Sequence, residues 1–368
     1  LATLEWVACN ASTGVVIANL PGLIVPSVQD AMMSFATATA TLVVTDRTDP
    51  EWVAATRPGG AYIVLLEDSV PTWGGLIASR RKGTNDLVSL SLGTVATYLR
   101  RRFVGDTTFT DEDQCAIVEQ LVALYGETDG LPFEYDVTAS AITRDRTYLD
   151  LNDKTVMSAI SELAGVENGP EWAITWTTKT VGTQTAYCPK LVVADRLGST
   201  PAAGLGPSAT WEFPGAVVDV ELTEDYSDGK GANDVMAVST ASMDTRPESV
   251  HVLVTDDERP KFEHRFTPST TITETDTLDA HAARQSAQVG RGTLTLAMTL
   301  DAASARPGID FNLGDVRGFR IGGDAHPLLA YPGGVEGTAR VIGYTRTFGS
   351  VPQVTPVLSA LEVTRGRF

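Results

Sequence analysis

Two pairs of carboxylates, Glu134 with Asp136 and Asp219 with Glu221, have a spacing that could do chemistry. Residues two apart on a strand point to one face. Two carboxylates facing one substrate can serve as acid and base, or acid and nucleophile, in glycoside hydrolysis. The chain holds 46 acidic residues, so such pairs arise by chance, and a solvated strand face accounts for them more cheaply. The other catalytic signatures are missing from the sequence. No G-x-S-x-G elbow occurs. His251, His264, His281 and His326 lack H-x-x-x-H or H-E-x-x-H spacing, and no C-x-x-C is present, so no metal site is expected. Asp225-Tyr226-Ser227-Asp228-Gly229 opens like a calcium loop. Its glycine falls one position early and no glutamate closes the loop, so it reads as a polar turn built by Asx bonds. Gly229-Lys230 lacks the earlier glycine of a P-loop. No catalytic residue, cofactor site or metal site is assigned, and the chain is read as not an enzyme.

Composition narrows the classes further. At 368 residues with 43% hydrophobic content, the chain is long enough for two to four domains with buried cores. A formal charge of −18 disfavours tight binding to nucleic acid, which requires neutralising phosphates. Cys9, Cys115 and Cys188 are sparse and odd in number, which points to folding in a reducing cytoplasm rather than to a disulfide framework. No apolar run of about 18 residues exists, so no membrane span is expected. Arg80-Arg81-Lys82 and Arg100-Arg101-Arg102 are basic clusters; the second follows Val95 to Leu99 and suits a helix C-terminus.

The dominant period is two. Ala36 to Val44, Leu87 to Leu92, Val218 to Leu222 and Thr293 to Leu300 alternate apolar and polar residues. Such Thr- and Val-rich runs predict half-buried antiparallel strands. Helices are few. Thr110 is placed to cap one from Asp111, with the stripe Ile117, Val118, Leu121, Val122 and Tyr125 stopped by Gly126. A second starts near Asn152 or Asp153, with Val156, Met157, Ile160, Leu163 and Ala164 before Gly165. A third runs from about Thr277 to Val289. Trp172, Ile174 and Trp176 share one face of a strand, and the stretch from Gly198 to Pro207 reads as a linker.

An internal repeat is faintly visible. Pro58-Gly59-Gly60 leads into Ala61 to Leu66, then Trp73-Gly74-Gly75-Leu76-Ile77 and Arg80. Leu313-Gly314-Asp315 leads into Val316 to Ile321, then Ala339-Arg340-Val341-Ile342 and Arg346. Both read as turn, strand, loop, strand, although any two hairpins share that much. A true repeat would put related barrels at the two ends of the chain.

The order of motifs resembles a known family. It runs from Pro21-Gly22-Leu23 through a Thr-rich strand, Arg57-Pro58-Gly59, Trp73 to Ile77 and Tyr98 to Arg102. Thr143 to Tyr148, Lys154 to Leu163, Asn168 to Ile174, Glu224 to Ser227, Leu313 to Asp315 and Arg340 to Tyr344 follow. Each motif is weak alone, and the order spans nearly the whole chain. It is similar to the minor tail proteins and baseplate (tail-tip) hubs of long-tailed bacteriophages of high-GC Gram-positive hosts. The resemblance implies a mainly β fold with α+β insertions: two tail-tube-like antiparallel β-barrels plus inserted domains. The first barrel would cover 1–105, an α+β insertion with two helices 106–207, the second barrel 208–240 with 290–368, and a further insertion with a short helix 241–289. Family-like structural positions would be Trp73, Gly75, Ile77, Arg144, Asp145, Gly169, Trp172, Asp225, Tyr226, Gly314 and Asp315. The implied assembly is a homotrimer forming a pseudo-sixfold ring in the virion tail tip, assembled in the host cytoplasm. Its partners would be the distal tail protein, the tape-measure protein and tip or receptor-binding proteins, with DNA only in transit. Because the chain ends at Phe368, soon after the last expected strand, an appended enzymatic domain is not expected. Alternatives are another tail or baseplate component that binds carbohydrate through aromatics such as Trp211 or Trp73, or a polysaccharide-degrading tail enzyme. Trp73 is expected in the core.

Overall fold

The computed structural model describes residues 2–365 apart from 167, 202–206, 208, 228, 241–244, 255–258, 269–271, 273, 291, 324–326 and 329–332. The interior of the expected linker, Asp228 of the polar turn, His326 and Phe368 lie outside the described residues. The chain forms two compact units, one of Leu1–Asp219 with Met298–Phe368, the other of Val220–Ala297.

The chain begins with β1 (Leu4–Asn10), β2 (Val16–Asn19), β3 (Leu23–Ile24), β4 (Ser27–Ala31) and β5 (Thr37–Val43). The short helix α1 (Trp52–Ala55), β6 (Ala61–Glu67), β7 (Val70–Lys82) and β8 (Leu87–Gly93) follow. All these strands except β4 form one seven-stranded sheet in the order β2-β1-β6-β7-β8-β5-β3. Every pairing in it is antiparallel. The two edge strands, β2 and β3, are joined only by the turn at 20–22, so the sheet must curl back towards itself. Alternation fixes what it encloses. Ala38, Ala40 and Leu42 of β5 and Val88, Leu90 and Leu92 of β8 point inward and pack with Ile63, Leu65, Trp73 and Ile77. Each fully buried Leu, Ile or Val contributes about 1.5–3 kcal/mol. The other face of β6 presents Tyr62, Val64 and Leu66 to a second core. Burial on both faces is why Ala61–Glu67 is nearly all apolar rather than alternating.

That second core is supplied by the next stretch. It contains α2 (Val95–Leu99), β9 (Thr107–Asp113), α3 (Gln114–Val122), β10 (Glu134–Val137), β11 (Thr143–Tyr148), α4 (Val156–Ala164), β12 (Glu171–Val181) and β13 (Gln184–Ala194). Strands β12 and β13 form a long hairpin, with β10 parallel to β13. Strands β9 and β11 form a separate antiparallel ribbon. Ile117, Val118, Leu121 and Val122 of α3 and Val156, Ile160 and Leu163 of α4 meet Trp172, Ile174 and Trp176 in the core.

Both helix starts differ from the sequence reading. Residues 111–113 are strand, because Asp113 and Glu112 pair with Thr143 and Arg144. The cap of α3 is Asp113, whose Oδ1 accepts the amides of Cys115 (2.7 Å) and Ala116 (3.4 Å). A π-helical turn, Ala123–Glu127, continues the helix past the expected stop. For α4 the cap is Thr155, which accepts from Ser158 N at 3.1 Å. Asp113 Oδ2 also accepts Ser140 N at 2.8 Å. Asp113→Ala is therefore expected to lower stability by about 2 kcal/mol, the upper end for a cap. Thr110→Ala should stay within about 0.5 kcal/mol, as for other surface changes. Urea denaturation of the two variants checks this.

The chain continues through β14 (Thr210–Phe213) and β15 (Val217–Asp225) into the second unit. There β16 (Asp234–Ala237), β17 (Val252–Leu253) and β18 (Glu263–Phe266) form a sheet in the order β17-β16-β18. Helix α5 (Thr275–Val289) packs Leu278 and Ala282 on Ala237 of that sheet. The chain returns through β19 (Thr293–Asp301), then β20 (Val316–Ile321), β21 (Val335–Thr347) and β22 (Gln353–Arg365). These make the second seven-stranded sheet, β14-β20-β21-β22-β19-β15, with β4 pairing β21 off that path. On β15 Val220 and Leu222 are half-buried and Asp219, Glu221 and Thr223 exposed, as the alternation predicts, but Val218 is exposed and Val217 is buried instead. Both expected hairpins of the repeat exist, β6 with β7 and β20 with β21. The likeness extends further. The order β6-β7-β8-β5 in the first sheet matches β20-β21-β22-β19 in the second. In each, three consecutive strands form a meander and the strand before them lies beside the last, a Greek-key arrangement. The fold is mainly β.

Candidate functional site

The side chains that organise the first unit converge where its two sheets and the β12–β13 hairpin meet. Glu67, the last residue of β6, faces Arg346 of β21. The guanidinium donates through Nη1 and Nη2 to the two carboxylate oxygens at 2.6 and 3.0 Å. The pair is buried, with side chains 1% and 4% exposed. Arg346 also lies over Phe348, whose ring meets Trp6 edge-on, and Trp6 meets Trp73 in the same way. Trp73 Nε1 donates to the Gln29 carbonyl of β4 at 3.0 Å. Strand β4 is thus bonded by its backbone to β21 and by an indole to β7.

A second junction centres on Arg340 of β21. Its Nε donates to the Gly314 carbonyl at 3.0 Å and its Nη2 to the Leu197 carbonyl at 2.8 Å. Both terminal nitrogens reach Glu171, the first residue of β12. Burial raises the Glu171 carboxyl, but the bonds from Arg340 and the Leu197 amide outweigh it and hold the group below its usual value. Beside it, Asp315 accepts Ser199 N (2.7 Å), Ser199 Oγ (2.9 Å), Asn312 N (2.9 Å) and Arg317 Nη2 (2.8 Å). Here too the burial that raises the carboxyl is overcome by its donors.

The positions singled out from sequence fall into separate places. Trp73 and Ile77 are core residues of the first sheet, and a Cβ on Gly75 would lie 2.8 Å from the Trp73 ring. Arg144 and Asp145 sit on the β9–β11 ribbon, where Arg144 Nε reaches Gln114 (3.3 Å) and Asp145 accepts the Asp111 amide (2.8 Å). Gly169 lets the chain approach the end of α4, because a Cβ there would stand 2.5 Å from the Leu163 carbonyl oxygen. Trp172 is a residue of β12 whose side chain is buried in the core with α3 and α4. Gly314 and Asp315 belong to the Arg340 junction. In the second unit, Asp225 accepts Ser227 N at 2.9 Å, the expected Asx turn, and Lys230 binds its other oxygen. Those bonds hold the Asp225 carboxyl well below the carboxylate range. Tyr226 carries Arg259 4.8 Å above its ring. Sequence reasoning did not find Glu67 as the partner of Arg346, nor Glu171 as that of Arg340. The one available signal was a carboxylate closing the apolar run Ala61–Glu67.

The carboxylate pairs do not form a facing dyad. Glu134 is bonded to Lys179 and Asp136 to Lys190 (3.1 Å), while Asp219 and Glu221 lie exposed on β15. Among the described residues no three His, Cys, Asp or Glu side chains group as metal ligands. His251 bonds Asp234 at 2.6 Å, and His264 stacks on Phe266. The three cysteines are buried, and burial pushes the Cys9 and Cys115 thiols up to about 12. Trp73 and Trp211 are 1% and 6% exposed, so neither can stack on a sugar from an open groove. Among the described residues, no helix is long and apolar enough to cross a membrane.

No family model and no curated protein sequence matches the chain. Solved structures do. The tail protein from Neisseria meningitidis MC58 superposes with a TM-score of 0.54 at 14% identity, covering 97% of this chain and 96% of that one. The 43 kDa tail protein of prophage MuSo2 from Shewanella oneidensis gives 0.57 at 9% identity, over 98% of this chain and 100% of that one. The fold is that of these tail proteins. A chain of the Francisella PdpA–VgrG complex shares it over 57% of its own length, with a TM-score of 0.53 at 8% identity. The tail-protein fold therefore extends through nearly the whole chain, both sheets and the intervening segments included.

Proposed function

We propose that this chain is a structural, non-enzymatic hub subunit of a phage tail tip. The observation that carries the reading is the matching strand order of the two sheets, held together by the buried Glu67–Arg346 pair. Three copies of a chain with two like sheets present six of them around one axis, a pseudo-sixfold ring suited to a sixfold tail tube. Full-length likeness to two tail proteins supports placing it in a tail. In this reading 1–105 and 208–240 with 290–368 are the ring-forming barrels, while 106–207 and 241–289 are insertions. Trp73, Gly75, Ile77, Arg144, Asp145, Gly169, Trp172, Asp225, Tyr226, Gly314 and Asp315 serve as scaffold positions. The ring joins the tube and distal tail protein to tip or receptor-binding proteins, meets the tape-measure protein, and lets DNA pass on ejection. The host is a high-GC Gram-positive cell, in whose cytoplasm the virion tail is built. A chain of −18 charge suits a channel that must not retain DNA.

Negative-stain microscopy and native mass spectrometry of the purified protein, alone and with its distal tail protein, test this. Threefold rings with a central hole are expected. A monomer under both conditions overturns the hub.

A further inference from the structure

A cleft of about 490 Å³ opens within the first unit. Trp176 of β12, Phe311 and Tyr344 of β21 give it aromatic walls, and Asp30, Asp136 and Asp315 give it carboxylates. Two of these three are already occupied. Asp136 is paired with Lys190 at 3.1 Å, and Asp315 is held by Arg317 and Ser199. Asp30 is different. It lies on β4 opposite Tyr344, and its Oδ1 accepts only the amide of the next residue, Ala31, at 2.9 Å. Its other oxygen has no hydrogen-bond partner among the described residues, and the residue lines the cleft.

We infer that this cleft receives a guanidinium group, the arginine side chain of a partner polypeptide, with Asp30 as its counter-charge. An anionic ligand would meet an uncompensated carboxylate. A purely apolar one would bury that carboxylate unpaired, at a cost of several kcal/mol. A cation removes the problem. Guanidinium fits better than ammonium, because it is flat, weakly hydrated and bonds a carboxylate through two parallel N–H groups. The volume lies in the usual range for ligand pockets, large enough for the side chain and its flanking backbone.

The site carries its own pH dependence. Burial pushes the Asp30 carboxyl up to about 7, against the opposing Ala31 amide. The charged groups around it are engaged elsewhere: Arg346 with Glu67, Lys190 with Asp136, Arg317 with Asp315, and Arg340 with Glu171. Tyr344 faces Asp30 from β21, and burial raises its phenol well above its usual value, so it stays neutral. Strands β7 and β12 line the cleft with Pro71, Thr72 and residues 173–176, none of which titrates. Above about pH 7 Asp30 is charged and the site is competent; below it the proton competes with the ligand.

Titration of the full chain with N-acetyl-L-argininamide, followed by NMR at about pH 8 and about pH 6, tests the site. Saturable binding at the higher pH is expected, roughly tenfold weaker at the lower. Asp30→Asn keeps the shape and the Ala31 bond. It should lose about tenfold in affinity at the higher pH and flatten the pH dependence. Lys190→Gln frees Asp136 and should tighten binding, with both positions exposed enough for the fold to be kept. The corresponding lysine amide should bind more weakly. Equal binding by wild type and Asp30→Asn, no saturable binding by wild type at the higher pH, or binding of free arginine but not of the capped amide would each overturn the inference. That the partner is a tail protein rests on the proposed function, but the titration does not require a ring, so the two ideas fail separately.

Discussion

Glu67→Ala is expected to destabilise the protein by about 3–5 kcal/mol, the cost of breaking a buried ion pair by removing one partner. The Glu67 side chain is 1% exposed and that of Arg346 is 4% exposed. Truncation leaves the guanidinium without its counter-charge in a low-dielectric site. Arg346 has little else to fall back on, because its Nε is already buried without a hydrogen-bond partner among the described residues. Arg346→Ala should cost a similar amount for the converse reason. Glu67→Leu combined with Arg346→Met should be neutral or even stabilise, by up to roughly 1–4 kcal/mol, since neither charge then has to be desolvated. The pair is therefore better understood as fixing the register of β21 against the first sheet than as a source of net stability. By contrast, Asp136→Asn at the exposed Lys190 pair should change stability by less than about 1 kcal/mol. A double-mutant cycle in urea decides the matter. A cost below about 1 kcal/mol for Glu67→Ala would mean that the pair is solvated and the two sheets separate more freely.

What could be read in the sequence follows the range of each interaction. The alternation of Ala38, Ala40 and Leu42, or of Val88, Leu90 and Leu92, is local and survives because one face of each strand is buried. Helix stripes were legible for the same reason, and so was the Asx turn at Asp225, whose bonds lie within a few residues. Helix starts were not. Thr110 with three acidic residues is a good local cap signal, but pairing of Glu112 and Asp113 with β11 outcompetes it, and only the last acid ends up capping. Strand β4 shows the other limit. Ser27–Ala31 is short and mixed in polarity, and its partner Gly343–Thr347 lies at the far end of the chain. Nothing in its own residues says that it leaves the first sheet for the second. The scaffold positions split in the same way. Gly314 reads as a turn glycine, whereas the segment it touches cannot be read from it. Asp30 is one of many aspartates until the fold surrounds it with Trp176, Phe311 and Tyr344.

That unreadable contact makes Gly314→Ala the second large effect. Gly314 has φ +92°, a region that costs a residue with a Cβ on the order of 1–3 kcal/mol. The added carbon would also stand 2.5 Å from the carbonyl carbon and oxygen of Leu197 and 2.9 Å from the Gly198 amide nitrogen. Those atoms are backbone and cannot rotate away. Gly198, at φ +80°, approaches from the other side, where its own Cβ would lie 2.0 Å from the Gly314 carbonyl carbon. The displaced groups are the acceptors of Arg340, which donates to both the Gly314 and Leu197 carbonyls while holding Glu171. Relieving the clash therefore loosens the bond between β21 and the β12–β13 hairpin as well. The combined loss is expected to exceed about 4 kcal/mol, the range in which a single substitution is diagnostic of one severe local fault. Gly59→Ala is the matched control. It has φ +68° but open space around the Cβ, so it should cost only the left-handed term, about 1–2 kcal/mol. Gly198→Ala should match Gly314→Ala, and the double variant should fall well short of the sum, because both substitutions open the same contact. Thermal and urea unfolding of the four variants separates the two causes. If Gly314→Ala costs no more than Gly59→Ala, the two turns are free to part and Arg340 does not depend on their approach.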